Sequence, residues 1–330
     1  MCVCVCVVIF NVHMNYQELT SVENLFQAWD EFKKGKRKRK DVQIFERYLE
    51  DNLFELHQKL IKKTYQHGGY HAFFVNDPKR RHIHKASVED RIVHHLLYKY
   101  LYEAWDKKFI YDSYSCRLNK GTHKGVKRLE RFTMAVSKNY ARPCWALKLD
   151  IKKFFASVDH EILKGLLRKK IIDKDTLWLL DEIINSFPGG IPLGNLTSQV
   201  FANIYMNELD QFIKHELKIK YYLRYADDLV VLSGDKQSLE RLIVPIAEFL
   251  KIKLKLELHP NKIILRKLDW GIDFLGYVIL PHYILPSTKT KRRMFKRINE
   301  ENLSSYLGYL SHANSFRLSE ELKNKLFLGT

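Results

Sequence analysis

Two adjacent aspartates, Asp227 and Asp228, lie between two short apolar runs, 221–225 and 229–232, of a 330-residue chain. Apolar runs of this length on either side of a tight turn predict a hairpin of buried strands. Asp favours turns, so a solvated hairpin end is the plain reading. Neighbouring carboxylates nevertheless resist joint ionisation unless water screens them or a cation stands between them. A third carboxylate, Asp150, ends the apolar stretch Trp145-Ala146-Leu147-Lys148-Leu149. An aspartate at a strand end, beside a hairpin that presents two more, is what a two-metal phosphoryl-transfer site requires. Three carboxylates can hold two divalent ions about 3.5 to 4 Å apart, one lowering the pKa of an attacking hydroxyl and the other stabilising the leaving group.

Charge points to the same class of substrate. Fifty-six Lys and Arg against 38 Asp and Glu give +18, an excess that suits a phosphate polyanion. A hydrophobic share of 46% excludes a disordered chain, which lacks the apolar surface to offset backbone ordering. The five cysteines contain no CxxC pair, so Cys116 and Cys144 read as free thiols of a reducing cytoplasm. The 14 histidines show no zinc-hydrolase or deaminase pattern. The apolar opening run is too short to cross a bilayer and lacks a signal peptide's basic region, so no membrane role is expected. Thr20 and Glu23 stand at capping-box spacing soon after Met14, so translation is expected to start at Met14, with residues 1–13 a start-site artefact or disordered.

Along the chain, seven of the eight residues 33–40 are basic. They read as a solvated linker or as a contact with RNA phosphate. Val42, Phe45, Leu49, Leu53, Leu56 and Leu60 have the spacing of one amphipathic helix. Residues 70–82 predict a strand, a turn and a basic return strand; Ser87 and Asp90 cap the next helix. A strand over 144–151 is followed by helices over 158–170 and 174–187, with Asp159 as a plain N-cap, and by a long helix from about 197 to 217. After the aspartate hairpin come a helix near 237–250 and a strand near 252–258. This order predicts an α+β fold with an antiparallel-dominated sheet backed by helices. Lys289, Arg292, Arg293, Lys296 and Arg297 share one helical face that suits a nucleic-acid backbone, or is simply solvated.

Asp150 with its Phe-Phe-Ala-Ser-Val-Asp sequel, the Tyr225-Ala226-Asp227-Asp228 turn and Phe274-Leu275-Gly276-Tyr277 together resemble, in order and spacing, the motifs of reverse transcriptases of the group II intron-like branch. The loop from Gly190 to Gln199 departs from most of that branch, with Leu193 where glutamine is usual and Gln199 where proline is usual. In that form, as in residues 116–126 (CRLNKGTHKGV) and 306–315 (YLGYLSHANS), the chain is similar to reverse transcriptases of diversity-generating retroelements.

The resemblance implies a right-hand polymerase: N-terminal helices and fingers over 14–140, palm over 141–280 and a small helical thumb over 281–330. It implies catalysis by Asp150, Asp227 and Asp228 and two Mg²⁺ ions held by these residues with Ile151. Nucleotide contacts are implied for Lys79, Arg80, Arg81, Phe154, Phe155, Leu193, Gly194, Gln199 and Lys262. Phe155 would underlie the incoming sugar and exclude a 2′-hydroxyl, and Lys262 would lie near the leaving pyrophosphate. Primer or template contacts are implied for Tyr225, Ala226 and Gly276. The implied activity copies a structured template RNA into cDNA from dNTPs, with errors at adenines, in mutagenic retrohoming. A basic oligomeric accessory protein, and a cytoplasmic setting in bacteria or phage-infected cells, belong to the same expectation. Retron, phage-defence and trimmed intron enzymes are the near alternatives; an inert RNA-binding scaffold is the alternative of another class, disfavoured by the complete set of aspartates.

Overall fold

A computed structural model describes residues 14–76 and 80–327. The expectations for residues 1–13, and for the hairpin tip that carries Lys79, lie outside the described residues.

Helix α1 (Tyr16–Leu19) opens on Asn15, whose side chain accepts from Glu18 N while the Glu18 carboxylate accepts from Asn15 N. Helix α2 (Val22–Lys33) opens on Ser21, whose Oγ accepts from Asn24 N. The expected capping pair of Thr20 and Glu23 is therefore wrong by one residue, and Thr20 Oγ1 donates instead to the Tyr16 carbonyl. The basic run forms the turn to α3 (Lys40–Arg47). The single helix expected over 42–60 is two, because Tyr48 leaves helical geometry at φ −123 and ψ 44 before α4 (Leu49–Ile61) begins. The stripe itself survives, with Val42, Leu53, Leu56 and Leu60 fully buried. Strands β1 (His71–Val75) and β2 (Arg81–Lys85) pair as the predicted hairpin, and α5 (Val88–Trp105) starts where Ser87 accepts from Asp90 N.

Helix α6 (Thr122–Val136) leads to β3 (Trp145–Asp150). Helices α7 (Phe154–Ser157), α8 (His160–Arg168), α9 (Lys174–Asn185) and α10 (Leu196–Gln211) follow, and Asp159 caps α8 by accepting from Ile162 N. The aspartate hairpin is β4 (Tyr222–Tyr225) and β5 (Asp228–Ser233). Helix α11 (Lys236–Leu254) then overruns the strand expected at 252–258. Ile246, Leu250 and Leu254 recur at helical spacing and are buried, whereas Ile252, which that strand would have turned inward, is 73% exposed. The strand instead is β6 (Ile264–Lys267). A sheet of β7 (Ile272–Phe274), β8 (Tyr277–Leu280) and β9 (Tyr283–Pro286) precedes α12 (Thr288–Arg297), α13 (Glu300–Leu310) and α14 (Phe316–Phe327).

The chain divides into two compact units, one of residues up to 110 with 153–210 and 251–256, the other of 111–152, 211–250 and 257 onward. In the first, α5 packs on α2 and α3. In the second, the four-stranded sheet runs β4-β5-β3-β6 with every pair antiparallel. Helix α6 lies against β4, β5 and β8, burying Val126, Leu129 and Phe132 over Ala146, Leu223 and Val230. Truncating one such leucine costs about 2 to 5 kcal/mol, which is what fixes the register of the strands that end in aspartate. Among the described residues no helix is long and apolar enough to cross a membrane.

Candidate active site

The register of β3 on β5 places Asp150 directly opposite Asp228, and Asp227 occupies the two-residue turn beside them. All three are half-buried. Like charges opposite one another on a sheet destabilise it, and the cost appears at Asp227. Burial, followed by the charge of Asp228 and then of Asp150, pushes its carboxyl up from 3.8 to about 6.

Cations partly offset this charge. Lys262, on the tight turn Pro260–Lys262, donates from Nζ to Asp150 Oδ1 at 2.8 Å. The same segment is fastened through its backbone, His259 N donating to the Asp150 carbonyl at 2.8 Å. Lys148, two residues before Asp150 and hence on the same face of β3, has its pKa lowered by burial against the opposing pull of Asp228, Asp273 and Asp150. Beneath the turn, the wholly buried Arg224 donates from Nη1 to the Ala226 carbonyl at 3.1 Å, tying down a residue at φ +52. Sequence reading missed Lys148 and Arg224, since a cation inside an apolar strand looks like a mere interruption. Their signal was that the strands tolerated them at all.

Among the described residues no cluster of three or more His, Cys, Asp or Glu side chains stands ready as a metal site. Asp150, Asp227 and Asp228 do offer the hard oxygen donors that a divalent cation of the Mg²⁺ type takes, in a place where negative charge is under-compensated.

In the first unit the loop that carries Leu193 and Gly194 is fastened to Phe155 and to β2. Ile191 N donates to the Phe155 carbonyl at 2.7 Å, and His84 N on β2 donates to the Leu193 carbonyl at 2.9 Å. Gly190 permits this closeness: at φ +68, a Cβ there would lie 2.3 Å from the Phe155 carbonyl oxygen. Gly194, at φ +120, lets the loop approach Ile83 on β2 in the same way. Phe155 and Leu193 are half-buried and Gln199 is exposed on the first turn of α10. Phe154 is a core side chain, 2% exposed and edge-on to the half-buried Phe155. Arg80 lies over the Phe74 ring and Arg81 opens β2.

In the second unit Tyr225 is half-buried at the end of β4, its hydroxyl accepting from Thr122 Oγ1. Gly276 sits in the turn between β7 and β8 at φ +87. On α12, Met294 and Thr290 are buried while Lys289, Arg292, Lys296 and Arg297 are exposed and Arg293 is half-exposed, the one-sided basic face that the spacing predicts. Cys116 and Cys144 are free thiols, also as expected.

A family model described as reverse transcriptase (RNA-dependent DNA polymerase) matches residues 44–279. The group II intron-encoded protein LtrA of Lactococcus lactis is 22% identical over 307 residues, covering 70% of this chain and 50% of that protein. The retron Ec73 reverse transcriptase of Escherichia coli is 32% identical over 103 residues, covering 27% and 33%. The chain spans between 32% and 64% of the length of the first curated relatives it matches. Among solved structures, apo telomerase from Candida tropicalis aligns with a TM-score of 0.52 at 14% identity, over 81% of this chain and 60% of that one. The fold is the right-hand polymerase fold that the sequence predicts, of mixed helix and antiparallel sheet.

Proposed function

The chain belongs to the reverse transcriptase family, and from that premise we propose that it is an RNA-directed DNA polymerase serving a diversity-generating retroelement. The observation that carries the polymerase reading is Asp150 opposite Asp228 with Asp227 in the adjoining turn. Asp150, Asp227 and Asp228, with the Ile151 backbone, would hold two Mg²⁺ ions, which supply a lowered pKa for the primer 3′-hydroxyl and neutralise the departing pyrophosphate. The 3′-hydroxyl gives up its proton to solvent, and its oxygen bonds to the α-phosphorus of the dNTP as the bond to pyrophosphate breaks. Lys262, which donates to Asp150, follows the leaving group in this reading, and Lys79, Arg80 and Arg81 grip the triphosphate. Phe155 underlies the sugar. Tyr225, Ala226, Gly276 and the basic face of α12 meet primer and template, with fingers over 14–140, palm over 141–280 and thumb over 281–330.

The retroelement assignment rests on the loop Gly190–Gln199. Leu193 offers an apolar contact where an amide would hydrogen-bond near the incoming base pair, and loss of about 1 to 3 kcal/mol of discrimination lowers fidelity roughly 10- to 200-fold. The template is a structured RNA, the product an adenine-mutated cDNA for mutagenic retrohoming, and a basic oligomeric accessory protein assists in the cytoplasm of the bacterial host. The matches to intron-encoded and retron enzymes favour a second reading, an accurate reverse transcriptase of one of those systems.

Primer extension on an RNA template with Mg²⁺ and four dNTPs, comparing wild type with Asp227→Ala and sequencing the cDNA, tests both. Product from wild type alone supports the polymerase, and errors concentrated opposite adenine support the retroelement. Leu193→Gln should then reduce those errors about tenfold. Uniformly accurate cDNA moves the assignment to the intron and retron systems.

A further inference from the structure

The two segments of marked motif character that the polymerase reading leaves unused, 116–126 and 306–315, meet in the second unit. His123, near the start of α6, and His312, just past the end of α13, stack ring on ring with centroids 3.7 Å apart and planes at 24°. Tyr277 and Tyr309 stack beside them at 4.4 Å and 8°. The Tyr277 hydroxyl joins the two pairs: it lies 3.1 Å from His123 Nδ1 and donates to the Tyr309 carbonyl at 2.9 Å. Burial, His312 and Lys127 lower the His123 pKa, which favours the neutral ring.

These rings close around the turn between β7 and β8. The Tyr309 hydroxyl fills the space that a side chain on Gly276 would take, 2.7 Å from its Cβ position. The Gly276 carbonyl accepts from Ser287 N at 2.8 Å and Thr290 Oγ1 at 3.1 Å, both at the start of the basic helix α12. One turn is thus held from α6, α12 and α13 together. Histidine suits the contact because its flat ring stacks while its nitrogen reaches the Tyr277 hydroxyl.

We propose that His123 and His312 are positioning residues whose stack, through Tyr277 and Tyr309, sets the turn at Gly276 and the start of α12 in the pose that holds a primer–template duplex. The identity of that ligand rests on the polymerase reading above. The role is in holding nucleic acid and separate from the choice of nucleotide.

The test measures binding of an RNA-template/DNA-primer duplex by fluorescence anisotropy, nucleotides added per binding event, and kcat and dNTP KM at saturating duplex. His312→Ala should weaken duplex binding and shorten products about five- to tenfold, the scale of one aromatic pair, with kcat and dNTP KM within about twofold of wild type. His312→Phe, which keeps a stacking ring, should recover most of the loss. Wild-type binding by His312→Ala, no recovery by His312→Phe, or a dNTP KM that moves in step with duplex affinity overturns the proposal. Should His312→Ala fail to fold, Tyr277→Phe removes a single oxygen and should weaken duplex binding measurably; unchanged binding overturns it equally. Wild type that binds the duplex and adds no nucleotide sinks the polymerase reading, while anisotropy still decides this one. Wild type that does not bind the duplex overturns this one.

Discussion

Two of the two-residue hairpin turns in the second unit are alike in length and different in construction. Tyr225-Ala226-Asp227-Asp228 and Phe274-Leu275-Gly276-Tyr277 each join paired residues through two others, and each puts a non-glycine residue at positive φ, Ala226 at +52 and Leu275 at +50. Left-handed geometry suits the twist of a two-residue hairpin and is normally supplied by Asn or Gly. The first turn is surrounded by charge: Asp150, Lys262, Lys148 and the buried Arg224. The second is surrounded by rings and hydroxyls, Tyr277, Tyr309, Thr290 and His123. The ring-lined turn is packed from within the chain by neutral groups. In the charged one, burial and the neighbouring charges of Asp228 and Asp150 raise the Asp227 carboxyl to about 6, a cost that a cation from outside would relieve.

The largest effect that would break this comparison is on chemistry. Asp227→Asn removes the charge at constant volume and should lower single-turnover dNTP incorporation about 10³-fold or more, with the metal-free protein melting no lower than wild type. Retained incorporation would show that the Asp227 charge is incidental. Gly276→Ala attacks the other turn and should act on folding first. Its Cβ would fall 2.7 Å from the Tyr309 hydroxyl at a φ of +87, a cost of about 2 to 3 kcal/mol in urea unfolding. If the variant is as stable as wild type, the rings yield and the second turn is softer than its packing implies.

A smaller effect sharpens the contrast through pH. The Asp227 carboxyl ionises at about 6 in the folded protein, against 3.8 ordinarily. Between those values the folded state keeps a proton that the unfolded chain releases, so stability falls as pH rises from about 4 to 6 and does not return above that. The change is on the order of 1 kcal/mol once water at this half-exposed site is allowed for. Melting of metal-free wild type and Asp227→Asn across this range should show the slope in the first and a flatter one in the second. Gly276→Ala should keep the wild-type slope, because its turn carries no carboxylate.

What could be read beforehand follows the same division. The aspartates and their strands were legible because apolar runs ending in acid are local signals, whereas the register that sets Asp150 opposite Asp228 came only with the fold. The one-sided basic face of α12 was legible as a local signal too. Arg224 and Lys148 were not, since their value lies in what the fold sets above them. The meeting of His123 with His312 was likewise hidden, because each lies in a polar loop-flanking segment and only the tertiary fold joins them. Local signals also failed where two periods overlap: Lys alternates with Ile or Leu over 251–256 as in a strand, yet Ile246, Leu250 and Leu254 continue the stripe of α11. The break at Tyr48 is a smaller case, since the stripe passes through it without a change of spacing.

The smallest prediction separates the turns by what their strained residues do. Ala226→Gly relieves a left-handed penalty of about 1 kcal/mol but loosens the unfolded chain by a similar amount, so its net effect should lie within about 0.5 kcal/mol. Leu275→Gly receives the same relief and also loses a side chain that packs on the core of the unit against α6, where its Cδ1 lies 3.5 Å from the Cβ position of Gly125. That loss outweighs the relief, and Leu275→Gly should destabilise by about 1 kcal/mol or more. Urea unfolding of both variants reads the difference directly. Unequal values mean that strain at Leu275 persists because packing repays it. Ala226 then persists because an alanine is large enough to restrict the turn and small enough to leave Asp227 clear. Equal values would mean that the two turns hold their shape for one common backbone reason, and that rings and charges merely decorate it.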